Sequence, residues 1–410
     1  MWIVQIIIAR INQRRPLSQI EQFIFPMRLQ GSNFPIRHHV MLKVYVALRL
    51  GLALVMLLFG MVALIPAKVV WLFQVQVGAT EFGHWFALGA LLLLVAGPWR
   101  SWSAVAALSA LVLLMSSSVR AAWLARSLPE QFGNVDAPPV FSWAKLWTPV
   151  AKSAGAPVTL KFAEHDGESL LMDFYPSAGR QPAPCVIVIH LGGWDSGSRR
   201  EFPECCAMLQ KQGYAVASID YRLAPKDPWP EQRTDVLDAM HFLQAGAAGY
   251  GLKPDQFVLL GRSAGGQISS AVALGANDPA IVGCISLYAP ADLNFAWTYA
   301  DPHDILDSDK LLRQFLGGPP KEKQAEYDSA SGIRFVNPRS VPMLLIHGTM
   351  DEMVWVKQSQ RLAEKLREQG VHHHYLELPW ATHAFDYNAN GPGGQITEWA
   401  MLRFLEEVTR

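Results

Sequence analysis

One hexapeptide constrains this chain more than any other feature: Gly261-Arg262-Ser263-Ala264-Gly265-Gly266, directly after the apolar run FVLLG. A short continuous apolar run reads as a buried strand, and the stretch after the motif reads as helix over Gln267–Leu274. The motif therefore sits at a strand–turn–helix junction, the setting in which GxSxG carries a nucleophilic serine. The reason is steric. A serine on so tight a turn needs small residues two positions to either side, which Gly261 and Gly265 supply. The turn lifts the hydroxyl above the sheet edge, and the helix behind it aims its first amides and positive dipole end at the same point. Ser263 is the predicted nucleophile.

A second glycine-rich loop, His190-Leu191-Gly192-Gly193-Trp194, follows the apolar strand CVIVIH. Attack on a carbonyl creates an oxyanion that needs preorganised donors, and losing one donor costs ~2.7–4 kcal/mol of transition-state stabilisation. Glycines let the backbone approach and turn its N–H groups inward. The predicted donors are the amides of Gly192, Gly193 and Ala264. His190 is read as a residue that orients the loop.

An acid and a base complete the set. Asp351 lies just past the strand MLLIH, and His383 just past the strand HYLEL. The order Ser, Asp, His is the one expected when such a serine sits on an open parallel sheet. His383 would take the Ser263 proton and return it to the leaving group, while Asp351 holds the imidazole tautomer. Glu352 and Asp386 are rival acids.

Strands are predicted near 159–163, 170–175, 185–190, 215–220, 257–261, 282–288, 343–347 and 373–378. Helices are predicted near 203–212, 232–245, 267–274, 356–369 and 395–407. Alternation of this kind predicts an α/β fold with a mostly parallel eight-stranded sheet flanked by helices.

These motifs resemble the hormone-sensitive-lipase-like and related carboxylesterase branch of the α/β-hydrolases over roughly residues 155–408. Asp220-Tyr221-Arg222-Leu223-Ala224-Pro225 is similar to that branch's DYRLAP segment and is expected to be a scaffold ion-pair site. The resemblance implies the α/β-hydrolase fold and cofactor-free ester hydrolysis by Ser263, Asp351 and His383. One departure is Leu191, where the branch usually has the first glycine of HGGG; it is expected to narrow the acyl side of the pocket. No helical cap of the lipase type precedes the domain, and residues 292–334, with Trp297, Tyr299 and Phe315, are the candidate small lid.

Half of the chain is hydrophobic and only 17% is charged, and the apolar excess lies in the first ~120 residues. Residues 1–40 form a basic extension with Arg10, Arg14, Arg15, Arg28 and Arg37, and Met27 or Met41 is an alternative start. Residues 41–120 predict an all-α membrane region of about three helices: Val44–Pro66, Phe82–Gly97 and Ser101–Ser118. A span needs about 20 apolar residues. The Lys/Arg bias of the N-terminal flank favours that end inside, which puts the catalytic domain outside the cytoplasm of a bacterial inner membrane; Arg120 and Arg126 argue weakly the other way. Residues 121–153 read as a linker and 154–410 as the catalytic domain.

The formal net charge of zero gives no nucleic-acid surface. Expected partners are a small-molecule or lipid ester and the bilayer; the oligomeric state is open. No cofactor or metal is expected. Consecutive His372, His373 and His374 on a strand point to alternating faces and so do not share one ion easily. Asp301, Asp304, Asp307 and Asp309 lack the glycine and terminal glutamate of a calcium loop. Cys185, Cys205, Cys206 and Cys284 follow no metal-binding spacing, and a disulfide between distant positions stays open. Two other readings compete with an esterase: a serine peptidase of the prolyl-oligopeptidase-like type, and a non-catalytic membrane scaffold with a hydrolase fold.

Overall fold

The computed structural model describes residues 34–133, 138–150, 156–179 and 181–410. Most of the basic extension and parts of the expected linker lie outside the described residues. The chain divides into two compact units, 1–51 and 52–410. In the first, the described residues are all helical and open α1 (Phe34–Val62).

The second unit begins within α1 and continues with α2 (Val70–Glu81), α3 (Gly83–Val95) and α4 (Trp102–Leu124). Two helices are long and apolar enough to cross a membrane: Val40–Val62, with mean hydropathy 2.2, and Trp102–Leu124, with 1.8. Each holds 23 residues, about 35 Å of helix against a hydrocarbon core of ~30 Å. The span expected at Phe82–Gly97 is instead the 13-residue α3, bent by 72° from α2. Only as a broken pair do α2 and α3 reach spanning length. Large apolar side chains such as Leu92, Trp102 and Trp123 stay exposed on these helices. Their inner seam is built from Ala87, Ala90, Ala110 and Leu114. A Cβ on Gly83 would stand 2.5 Å from the Leu114 carbonyl oxygen. Close approach over small residues is how helices pack where no hydrophobic effect drives them together.

From Val158 the chain forms one eight-stranded sheet: β1 (Val158–His165), β2 (Glu168–Tyr175), β3 (Ala183–Ile189), β4 (Ala215–Ile219), β5 (Leu252–Arg262), β6 (Ile281–Leu287), β7 (Met343–Gly348) and β8 (His373–Leu378). Their order is β1-β2-β4-β3-β5-β6-β7-β8. β2 is antiparallel to β1 and β4, and every other pairing is parallel. All seven residues of β3 are buried, as a strand covered on both faces requires. Alternate residues feed opposite layers: Ile187 and Leu259 enter one core, Val188 and Leu260 the other.

The helices of six or more residues in the domain are α5 (Pro203–Lys211), α6 (Glu231–Ala245), α7 (Ala264–Gly275), α8 (Leu293–Thr298), α9 (Ser308–Leu316), α10 (Pro320–Ala330), α11 (Lys357–Glu368) and α12 (Pro392–Val408). Most predicted strands and helices of the sheet domain agree with the observed ones within three residues. β5 begins five residues earlier, at Leu252, α8, α9 and α10 fall in the segment read only as a candidate lid, and a smaller difference lies near the serine. There α7 starts at Ala264, not Gln267. Gly265 and Gly266 are poor helix formers, but tertiary packing overrides that. A Cβ at Gly265 would meet the Ile189 carbonyl oxygen at 2.3 Å, and one at Gly266 would meet the Ala289 Cβ at 2.6 Å.

Candidate active site

β5 ends in the turn that carries Ser263, and α7 begins with the next residue. Ser263 has φ 51° and ψ −120°, a left-handed, strained backbone for a residue with a side chain. The neighbouring glycines make room for it. A Cβ on Gly261 would lie 2.1 Å from the Gly265 carbonyl oxygen and 2.2 Å from Ser269 Oγ.

The three side chains predicted to act together do meet. His383 Nε2 lies 2.9 Å from Ser263 Oγ, and His383 Nδ1 lies 2.7 Å from Asp351 Oδ2. The other Asp351 oxygen accepts the backbone N–H groups of Met353 and Val354, each at 2.9 Å. Burial alone would raise the Asp351 carboxyl, but the His383 and His347 rings outweigh it and hold the group well below the usual carboxylate range. The acid is thus a fixed anion, which orients the Nδ1–H tautomer of His383 and leaves Nε2 to accept the serine proton.

Gly192 (φ 126°) and Gly193 (φ 59°) both need glycine's backbone freedom, and a Cβ on Gly192 would clash with the Ser196 carbonyl oxygen at 2.1 Å. Their amides donate to no other described residue, and Ala264 sits at the first turn of α7, where amides have no intrahelical acceptor. His190 is buried, stacks on Tyr221 with ring centroids 4.0 Å apart, and contacts the Leu191 carbonyl through Nδ1 at 2.6 Å. Burial pushes its imidazole down to about 4 against the pull of that carbonyl and of Asp220. Its place fits the loop-orienting role.

The BD-FAE family profile matches residues 172–366. The chain is similar to the probable carboxylic ester hydrolase LipM of Mycobacterium tuberculosis, 29% identical over 55% of this chain and 54% of LipM. It is also similar to the esterase LipC of the same organism, 31% identical over 56% of this chain and 60% of LipC. The match thus spans little more than half the length of either relative. Among solved structures, an acetyl ester-xyloside bifunctional hydrolase from Caldicellulosiruptor lactoaceticus superposes with a TM-score of 0.53 at 19% identity, over 62% of this chain and 98% of that one. A bacterial heroin esterase gives 0.53 at 22% identity, over 62% and 84%. The fold is that of the α/β-hydrolases.

The site holds several supporting residues that the sequence reading missed. His347, on β7, places Nε2 3.2 Å from Asp351 Oδ2 and 2.9 Å from the Val354 carbonyl, with Nδ1 2.7 Å from Ser359 Oγ. Only an Nε2–H satisfies the two oxygens, so Ser359 donates to Nδ1. The residue was in view within the strand MLLIH, but nothing local marked it as a partner of the acid. Leu311, on α9, places Cδ1 3.3 Å from where a Gly193 Cβ would stand. The candidate lid therefore lies against the glycine loop, and Phe315 on the same helix stacks on Trp194 at 4.4 Å. Tyr299 is used in packing: its hydroxyl accepts from Gln358 Nε2 at 3.0 Å.

The rival acids fall away. Asp386 is taken by Arg262 Nε at 2.7 Å and by the Tyr288 hydroxyl at 2.7 Å, and Glu352 is exposed. The segment similar to DYRLAP is the expected ion-pair scaffold. Arg222 bonds the buried Asp235 through both its backbone N–H and its guanidinium, and Arg199 bridges Asp173 and Asp220. All four cysteines are free.

Proposed function

We propose that the protein is a carboxylic ester hydrolase that works through an acyl-enzyme on Ser263, with His383 as general base and acid and Asp351 as its orienting anion. The observation that carries this reading is the continuous Ser263–His383–Asp351 hydrogen-bonded chain at 2.9 and 2.7 Å, and the esterase names of LipM and LipC support the substrate class.

Ser263 Oγ attacks the ester carbonyl as His383 Nε2 takes its proton. The resulting oxyanion is held by the Gly192, Gly193 and Ala264 amides. The C–O bond to the alcohol breaks, and His383 protonates the leaving oxygen. Water, deprotonated by the same nitrogen, then releases the acid and restores the serine. Leu311 crowds the glycine loop, which favours short acyl groups. Membrane anchoring by α1, α4 and the bent α2–α3 pair as a third crossing, with the catalytic domain outside the cytoplasm, is part of the proposal.

Hydrolysis of p-nitrophenyl acetate, butyrate and longer esters by wild type and Ser263→Ala tests it. Turnover that declines with chain length and vanishes in the variant supports the reading. Equal turnover by both proteins removes Ser263 from the mechanism, and a preference for a p-nitroanilide over the esters would favour the peptidase reading.

A further inference from the structure

The sheet ends at β8, and there two of the three consecutive histidines do share a face. His372 Nε2 lies 2.7 Å from Glu407 Oε1, and His374 Nε2 lies 2.9 Å from Glu407 Oε2. One ligand atom from each of the three residues falls within 4.8 Å of the others. His373 points the other way, with Nδ1 on the Val371 carbonyl at 2.9 Å. The period of two that keeps three neighbours from sharing an ion brings the outer two together, and the third ligand comes from the far end of α12.

We propose that His372, His374 and Glu407 form a site for a divalent transition metal of the Zn²⁺ class, which clips the C-terminal turn of α12 to the edge strand. Imidazole and carboxylate are the ligand set that borderline metals select. Tetrahedral Zn²⁺ with bonds of ~2.0–2.1 Å separates its ligand atoms by about 3.3 Å, so the trio needs only small side-chain shifts. Water takes the fourth position.

Two features prepare the site. The His374 ring is stacked on Phe132, with centroids 3.9 Å apart and planes 9° from parallel, which fixes its direction. Glu407 stands in the last turn of α12, where no basic residue lies. A carboxylate facing the negative end of a helix dipole is disfavoured unless a cation accompanies it. Its neighbour Glu406 already has Arg403 at 2.7 Å, which leaves Glu407 to the two histidines. On binding, each Nε2 gives its proton to solvent while Nδ1 takes one up, so a neutral ring stays neutral as the metal–nitrogen bond forms.

The test uses untagged full-length protein in detergent. Titration with Co²⁺ is followed by its visible tetrahedral absorption, and with Zn²⁺ by calorimetry and by the thermal midpoint. Wild type is expected to bind one ion with a rise in the midpoint that a chelator reverses. His372→Ala and Glu407→Gln should each weaken binding by tenfold or more, and His373→Ala should leave it unchanged. Ester turnover should change little on metal addition, which separates this outcome from the fate of the proposed activity. No stoichiometric binding, or binding that survives both variants and is lost in His165→Ala, beside the acids Asp235 and Asp238, would overturn the proposal. His372 is half exposed, so His372→Ala keeps the test valid if a change at the stacked His374 impairs folding.

Discussion

The buried Glu81, at the last position of an apolar helix, accepts the backbone N–H of Gly393 through Oε2 at 3.0 Å. Gly393 lies in the first turn of α12, ten residues after His383. The Glu81 carbonyl also accepts from Asn388 Nδ2 at 3.0 Å. On the other side of His383, Arg120 Nη1 donates to the Pro379 carbonyl at 3.2 Å. The apolar helices therefore pin the His383 loop on both sides, and the Glu81 side-chain oxygen caps the N-terminus of α12, where backbone N–H groups have no intrahelical acceptor.

Removing that cap leaves a buried N–H without an acceptor, a loss of about 1–3 kcal/mol. Glu81→Ala is expected to lower stability by that amount in denaturant titration and to lower kcat more than it raises KM, because the loop that carries His383 loosens. Glu81→Gln keeps an acceptor oxygen and should recover most of both. An unchanged kcat in Glu81→Ala would mean that the helices support the fold but not the base.

The turn under Ser263 tolerates no side chain at its glycines. Gly265→Ala drives a methyl group against the Ile189 and His190 carbonyl oxygens, at 2.3 and 2.4 Å in the present geometry. Backbone on both sides cannot yield cheaply, so turnover should be abolished, and the protein should either misfold or display a displaced serine. A folded Gly265→Ala protein with near-normal turnover would show that the turn is far more pliable than this geometry allows.

His347 tests how much of the anion's orientation comes from beyond the triad. Hydrogen bonds to charged groups are worth ~1.5–3 kcal/mol, and 1.4 kcal/mol is a factor of ten in rate. His347→Ala should reduce kcat at least tenfold with KM nearly constant, the signature of an interaction felt in the transition state. A variant that changes KM alone would assign His347 to binding.

The buried His190 gives a pH signature. Its imidazole is pushed down to about 4 from the ordinary 6.5, so between those values the unfolded chain binds a proton that the native state refuses. Stability therefore falls as pH drops from 6.5 toward 4 and levels off below, by on the order of 3 kcal/mol in total. His190→Gln removes this term. Denaturant midpoints for wild type should slope more steeply than those of the variant across that window; parallel slopes would mean that the ring is protonated in the folded protein.

The legible part of this molecule was the part written in local pattern. Buried strands announce themselves by continuous apolar runs such as that of β3, and glycine spacing around Ser263 and after His190 reflects sterics that act within a few residues. Asp351 and His383 were found because each follows a strand that has to point at the same sheet edge. What stayed hidden was set by contacts between distant segments. No signal in the sequence ties Glu81 to Gly393, His374 to Glu407, or Leu311 to Gly193. The bend between α2 and α3 was missed for a similar reason: hydropathy measures how apolar a stretch is, not whether the helix stays straight.

The central claim is that the Ser263 hydroxyl, activated by His383, takes up the acyl group. The most direct measurement is intact-protein and peptide mass spectrometry after brief reaction with p-nitrophenyl butyrate at low pH, or with a fluorophosphonate. The account predicts one adduct per chain, located on the peptide that contains Ser263, and its loss in Ser263→Ala and His383→Ala. An adduct on any other residue, or steady ester turnover with Ser263 unmodified and dispensable, would contradict it.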